Sequence, residues 1–349
     1  MIRMSGAPVL TVLIASTIGL SCSSSSSPPP DPFKDCVEPD TGLPTDLFCT
    51  RLYADRTAKP LGSGVMSYTP GVVLWSDGAE KQRYFYLPPS AKIDTSNLDA
   101  WKFPVGTKAW KEFRLDGKLV ETRLFWKRNE TTWESGTYVW NPDGTATLNT
   151  AAPKGVILPN GYEIPTQKDC DKCHHGGSDK LLGIEAVALS LPSAQGATLT
   201  ALAAGGYLTT PPSKTAMTLP EDATGKAAGA LGYLHANCGM PCHSTRGLGD
   251  ETKLVLRLRA GELWPASGAP VPVEGTDLYK ATINQDGTTA SVNQQFPGAH
   301  RVTPGAHDKS LVWLVSHLRG NYQMPPLVSH KVDDVGTQRL ADWIDALHP

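Results

Sequence analysis

The chain of 349 residues lacks an excess of charge of either sign. Its 32 lysines and arginines against 34 aspartates and glutamates give a formal net charge of -2. It also lacks a run of basic residues, so nothing in it would attract an anionic polymer, and nucleic-acid binding is not expected. Histidine is absent from the first half, because none of the nine histidines precedes His174. This asymmetry predicts a metal-handling half at the C-terminal end.

No apolar run is long enough to span a bilayer comfortably. The best candidate, residues 9–20, follows Arg3 and is typical of the apolar segment of an export signal. Ser21-Cys22 then resembles the cleavage site of a bacterial lipoprotein, although Gly19 stands where such signals usually carry leucine. We therefore expect residues 1–22 to be a signal peptide, with Cys22 as a lipid anchor. The alternative is an ordinary cleaved signal with a stray cysteine.

Residues 23–32 consist largely of serine and proline. These residues bury too little apolar surface to fold, so we expect a flexible or extended tether. A tether after a lipidated cysteine would hold a globular body near a membrane. The predicted location is the envelope of a Gram-negative-type bacterium, as a periplasmic or outer-membrane lipoprotein, and the membrane is one predicted partner.

Two cysteines near the N-terminus, Cys36 and Cys49, enclose a short loop that contains proline. In an oxidising compartment such a pair favours a disulfide. For a loop of this length, the bond stabilises the folded state by roughly 2–4 kcal/mol. The alternative is two free buried thiols.

The most informative stretch is Cys170-Asp-Lys-Cys173-His174, a C-x-x-C-H sequence typical of covalent c-type haem attachment. Two thiols about one helical turn apart can form thioethers to the two vinyl groups of a porphyrin, and the adjacent histidine can bind the iron. A near-copy follows at Cys238-Gly-Met-Pro-Cys242-His243, with one extra residue between the thiols. Gly239 could let the extra residue bulge. Attachment through Cys242 alone is the alternative.

A zinc site is the competing interpretation of these cysteines. Cys170, Cys173, Cys238 and Cys242 could form a structural tetrathiolate. Two Cys-His adjacencies, an export signal and a late Met-Pro sequence would then all be coincidences, so we favour two haems c as cofactors.

The patterns divide the chain into four further segments. Residues 33–60 hold the cysteine pair, and residues 61–165 alternate as β-strands, with runs at 72–75 and 83–87 and a hairpin around Asp116-Gly117. Residues 166–225 form a connector with the first haem motif. Residues 226–349 carry the second motif, with helices expected at 227–237, 308–319 and 333–347. The expected fold class is α+β and multidomain, with a sandwich- or barrel-like β domain before a mostly helical one.

The C-terminal segment resembles a single-haem class I cytochrome c domain. Gly229 and Tyr233 stand in a helix before the haem motif, Met324-Pro325-Pro326 forms a late loop, and Trp343 lies in a final helix. The resemblance implies that this helix crosses the one before the motif. The whole chain resembles secreted bacterial di-haem c-type cytochromes with an N-terminal β domain.

The ligands of the two irons follow from the motifs and from the resemblance. His174 and His243 are the expected proximal ligands, and Met324, held extended by the following proline, is the expected sixth ligand beside His243. For the first iron we favour His235 as sixth ligand, although a helical histidine is often only hydrogen-bonded. Competing candidates, besides a vacant position, are Met217, His300, His307, His317 and His330.

The sequence contains no nucleophile, general base or nucleotide-binding loop beside these motifs. It therefore predicts an envelope-anchored di-haem cytochrome that passes single electrons to redox partner proteins. The alternatives are a di-haem enzyme, either peroxidase-like or the cytochrome subunit of a periplasmic dehydrogenase, and a β domain that binds a ligand near residues 75–78.

Overall fold

The computed structural model describes Met1, Asp31 and residues 33–150, 155–174, 179–245, 247–265 and 269–348. Apart from Met1, the predicted signal peptide, with the predicted lipid anchor at Cys22, lies outside the described residues, as does nearly all of the tether. Within the described ranges, no helix combines the length and apolar character that crossing a membrane requires.

A seven-stranded antiparallel sheet forms the N-terminal part, in the order β6-β5-β4-β3-β2-β1-β9. A separate two-stranded ribbon pairs β7 with β8. Strand β9 comes from the predicted connector, which therefore contributes to the sheet. The strands are β1 Val65–Thr69, β2 Glu80–Tyr86, β3 Lys108–Leu115, β4 Lys118–Lys127, β5 Trp133–Trp140, β6 Ala146–Leu148, β7 Val156–Ile157, β8 Glu163–Ile164 and β9 Gln195–Gly196.

The predicted hairpin is confirmed as β3 and β4, joined by a two-residue turn. Asp116 and Gly117 have φ values of 49° and 74°. Positive φ at both central positions is the turn geometry that matches the right-handed twist of two strands, and Asp-Gly supplies it at little cost.

Two details of the predicted β domain are wrong. Residues 72–75 form no strand; the Trp75 amide donates instead to the side chain of Asn237, in the helical part, at 2.6 Å. The sheet is also neither a sandwich nor a barrel, because its edge strands β6 and β9 lie at opposite ends of an open order. Other segments of the chain cover its faces.

Each face of the sheet has its own apolar core. On one face Trp110, Leu124 and Tyr138 pack against Leu47 and Phe48 of the N-terminal segment. On the other face a second cluster includes the sheet residues Phe85 and Phe125 and the connector residues Cys170, Leu189 and Leu199. The alternation of side chains along each strand lets one sheet serve both cores.

The helices follow strands β1–β8 in the chain, so the mixed α+β class is confirmed. The two longest helices, α4 and α9, pack against each other and bury Trp343. A Cβ atom on Gly336 of α9 would lie 2.0 Å from the Tyr233 ring, which shows how closely the two helices approach. The helices are α1 Gln167–Cys173, α2 Ala186–Ser190, α3 Leu199–Ala204, α4 Ala227–Leu234, α5 Ala260–Leu263, α6 Asp277–Thr282, α7 Ala290–Gln295, α8 Leu311–His317 and α9 Asp334–Ala346.

The disulfide predicted between Cys36 and Cys49 is present, with Cα atoms 5.3 Å apart. It fixes the segment that covers the first face of the sheet. We expect the double substitution Cys36→Ser/Cys49→Ser to lower the free energy of unfolding by about 3 kcal/mol, because the reduced chain gains loop entropy when unfolded. Urea unfolding of oxidised exported protein measures this. An unchanged midpoint would show that the covering segment does not depend on the bond.

Candidate functional site

The two Cys-His motifs open into a single cavity of about 490 Å³ between the sheet and the helical part. This volume lies within the range of roughly 300–1,000 Å³ that is typical of ligand pockets. Five predicted binding residues line it together, although the sequence places them in segments far apart: Cys173, His174, Cys238, Cys242 and His243. Met324 lines the same cavity. The fold therefore gathers most of the predicted site into one place.

The first motif lies on α1, whose first turn is capped by the Asp169 carboxylate, which accepts from the Thr166 amide at 3.2 Å. The helix ends at Cys173, and the His174 ring stacks on Phe125 of the sheet with 4.2 Å between ring centroids. His174 Nδ1 donates to the Lys180 carbonyl at 2.5 Å. A histidine that donates through Nδ1 presents Nε2 as its free lone pair, the usual arrangement of a metal-binding imidazole.

The partner thiol of the first motif lies elsewhere. Cys170 is buried in the core on the cavity side of the sheet and does not line the cavity. Burial raises the pKa of this thiol to about 11. Attachment through both thiols therefore requires the Cys170 side chain to turn toward the cavity.

The second motif shows how the chain accommodates its extra residue. Helix α4 widens into a π-helical turn at residues 235–239, and the His243 amide donates to the Cys238 carbonyl five residues earlier at 2.7 Å. A π turn holds one more residue than an α turn and is frequent at functional sites. Gly239 does not adopt a left-handed bulge; it matters because a Cβ there would lie 2.4 Å from the Leu256 backbone.

The imidazole of the second motif is closely confined. Thr252 Oγ1 lies 3.4 Å from His243 Nδ1, and a Cβ added to Gly249 would lie 2.7 Å from the same nitrogen. Burial, with a smaller effect of Arg301, lowers the pKa of His243 to about 4. Burial likewise lowers the pKa of His174 well below its usual value. Both rings are therefore neutral at neutral pH, the form that a metal binds.

The loop that carries Met324 is attached to the sheet side through Asp77. The Met324 amide donates to the Val315 carbonyl at 2.7 Å. Farther along the loop, the buried Asp77 carboxylate accepts from the His330 amide at 2.6 Å and from the Lys331 amide at 3.3 Å. The Trp75 indole donates to the Lys331 carbonyl at 3.1 Å. The segment 75–78 is therefore a docking turn, and not only the wall of a ligand pocket.

His235 faces the cavity but already has hydrogen-bond partners on both ring nitrogens. Its Nδ1 accepts from the Leu258 amide at 3.0 Å, and its Nε2 lies 3.4 Å from Glu185 Oε1. The side chain is 1% exposed. As described, the ring offers iron no free lone pair, which favours the hydrogen-bonded alternative. Its role as sixth ligand stays a prediction that would require the ring to leave these partners.

The other candidates for the first iron do not line the cavity: Met217, His300, His307, His317 and His330. His300 pairs with Asp286 at 2.8 Å, and His307 pairs with Asp345 at 2.7 Å. His330 pairs with Glu163 at 2.7 Å, and Met217 is buried in the helical core. His317 stacks on Trp313, with 4.5 Å between ring centroids.

The thiols show no sign of nucleophilic activation or of a zinc site. Burial raises the pKa of Cys238 to about 12 and, with a smaller effect of Cys173, that of Cys242 to about 11. A reactive cysteine needs the opposite shift. Within the ranges that the structure describes, no three His, Cys, Asp or Glu side chains form a group that could hold a metal ion. A haem iron needs no such group, because the porphyrin supplies four of its ligands.

The basic side chains on the sheet wall of the cavity were not among the residues predicted from the sequence. Arg83, Lys111 and Arg123 line it together with Phe113 and Phe125. In the sequence, basic and aromatic residues stand at alternate positions of three strands, so they lie on one face of the sheet. This pattern becomes meaningful only once the strand register is known.

Comparison of the chain with protein-family models, with curated proteins and with solved structures gives no match.

A test of the second motif uses the close approach of Gly249 to His243. We expect Gly249→Ala to displace the imidazole, because the new Cβ would lie 2.7 Å from Nδ1. Purified exported protein should carry about half as much covalently bound haem as the wild type, as measured by intact mass. Gly229→Ala is the matched control, since a Cβ there meets nothing within 4 Å. Equal loading of the two variants would contradict the assignment of His243.

A second test concerns the docking turn. We expect Asp77→Ala to lower the free energy of unfolding by about 1–3 kcal/mol, because two amides of the methionine loop lose a buried, charged acceptor. Hydrogen exchange of the His330 and Lys331 amides should rise. The control is Asp143→Ala, which removes an exposed turn carboxylate that accepts from Thr145 at 2.9 Å. Unchanged exchange in the Asp77 variant would show that the loop is held by other contacts.

Proposed function

We propose that the protein is a di-haem c-type cytochrome that passes single electrons in the bacterial cell envelope. The observation that carries the proposal is the convergence of two Cys-His motifs and Met324 on one cavity. Unrelated roles for the motifs would give no reason for the fold to bring them together.

The donor set fits a haem at each motif. Cys170 and Cys173 would attach one group beside His174, and Cys238 and Cys242 would attach the other beside His243. Met324 would be the sixth ligand of the second iron. Bound haem supplies an iron that gains and loses one electron, which no side chain of the chain can do at ordinary potentials.

The chain's own residues position these donors. The Lys180 carbonyl fixes the His174 ring with Nε2 free, and Gly249 leaves space for the His243 ring. A partly buried, neutral imidazole binds iron without first losing a proton. The thioether of Met324 would raise the reduction potential of the second site relative to a second histidine.

The cellular setting is part of the same proposal. A lipid on Cys22 and the tether at 23–32 would hold the body at a membrane, and the electron donor and acceptor would be redox proteins of the envelope. The disulfide between Cys36 and Cys49 supports an oxidising compartment, because such bonds persist there.

A second candidate function is an enzyme of the di-haem peroxidase type. The observation that favours it is the engagement of both His235 nitrogens, which leaves the first site without a committed sixth ligand among the candidates. An iron with an open position can bind a small ligand such as peroxide or carbon monoxide. Carbon monoxide binding by the reduced protein, followed by peroxide turnover, would favour this candidate over a pure electron carrier.

Near-infrared magnetic circular dichroism tests the ligand assignment. We expect a methionine-ligated haem in the wild type, and we expect Met324→Leu to abolish this signal and lower the reduction potential of one haem. Met217→Leu is the control, since Met217 is buried away from the cavity. A methionine signature that survives Met324→Leu would contradict the assignment of Met324. A pyridine haemochrome spectrum without a c-type band would contradict the proposed function as a whole.

A further inference from the structure

Three basic side chains form a row across the sheet wall of the cavity. In the strand register Arg83 of β2 lies opposite Lys111 of β3, and Lys111 lies opposite Arg123 of β4. All three line the cavity. Side chains directly opposite each other on neighbouring strands have Cβ atoms about 4.5–5.5 Å apart. We call these three residues the cation row.

Too few acidic side chains pair with the cation row to balance its positive charge. Like charges directly opposite each other destabilise a sheet. Arg123 has a partner in Glu121, which accepts from its Nη2 at 2.6 Å. Arg83 is only 5% exposed, and no hydrogen bond or ion pair joins its guanidinium to another residue in the described part of the chain. A buried and unpaired guanidinium facing a cavity indicates that something entering the cavity supplies the counter-charge.

The acidic side chains around the cavity are largely engaged elsewhere. Asp77 holds the methionine loop, Glu185 contacts His235, and Glu163 pairs with His330. Lys81, next to the row, donates to the Leu74 carbonyl. Burial, with smaller effects of the charges of Arg83 and Arg123, lowers the pKa of Lys111 to about 7.

We propose that the cation row of Arg83, Lys111 and Arg123 is a binding site for a carboxylate or similar oxyanion inside the cavity. Guanidinium groups bind carboxylates in a planar, two-pronged geometry, and burial strengthens such charge-assisted hydrogen bonds. Two sources supply this chemistry. One is a propionate of a bound haem, which rests on the proposed function. The other is a small anion that diffuses in.

The test compares Arg83→Gln and Lys111→Met with the control Arg114→Gln. Arg114 is on β3 but does not line the cavity, and its guanidinium lies 3.6 Å from Glu112. Each purified full-length variant is assayed for haem content, for the resonance Raman bending band of the propionates, and for the change of melting temperature with acetate and with phosphate. Two different row variants keep the test useful if one fails to fold.

If a propionate occupies the row, both row variants keep two haems per chain. Their propionate band shifts while that of Arg114→Gln does not, and acetate leaves the wild type unchanged. If a free anion occupies the row, acetate or phosphate raises the melting temperature of the wild type with saturation. Arg83→Gln should then bind it roughly tenfold more weakly, the effect of one lost charge-assisted hydrogen bond.

The proposal is overturned if neither the Raman band nor anion binding distinguishes the row variants from Arg114→Gln. Failure of the proposed function gives a different result, since the wild type would then contain no haem at all. The acetate and phosphate titrations of that haem-free protein would still decide whether the row binds an anion.

Discussion

The hydrogen bonds of the turn at residues 75–78 are the contacts on which the rest of the site depends. The Trp75 amide donates to Asn237, next to the first thiol of the second motif, and Asp77 accepts from two amides of the methionine loop. One turn of the β part thus fixes two segments of the helical part. The first motif packs on the same sheet, because the His174 ring stacks on Phe125. The sheet therefore holds both motifs in fixed positions around the cavity.

The thiols and imidazoles that line the cavity are better suited to holding a bound group than to acid–base catalysis. Burial keeps the thiols protonated and the imidazoles neutral. Such side chains are poor nucleophiles and poor proton carriers near neutral pH, but neutral imidazole and thioether sulfur are good ligands of haem iron. The basic wall supplies positive charge where the rest of the cavity is mostly apolar. The cavity therefore brings thiols, neutral imidazoles, a thioether and positive charge around one space.

Local patterns predicted the local elements well. The Asp116-Gly117 hairpin, the helix expected at 333–347 and the Cys36–Cys49 disulfide are all present, because turn geometry, helical periodicity and short loops are encoded by neighbouring residues. The run at 72–75 was mistaken for a strand, since apolar residues that dock on another part of the chain look the same in sequence. The alternation of basic and aromatic residues along three strands forms the cation row only through the strand register. The hydrogen bonds of His235 depend on packing between distant segments, which no local pattern reveals.

The central claim is that both motifs hold haem covalently. Intact mass spectrometry of the protein purified from the envelope of a bacterium with a haem-attachment pathway tests this most directly, with Cys173→Ala/Cys242→Ala as the reference. The account predicts a wild-type chain heavier than its polypeptide by two haems, which remain after denaturation, and a loss of haem in the reference variant. A denatured wild-type chain with the mass of the bare polypeptide would contradict it.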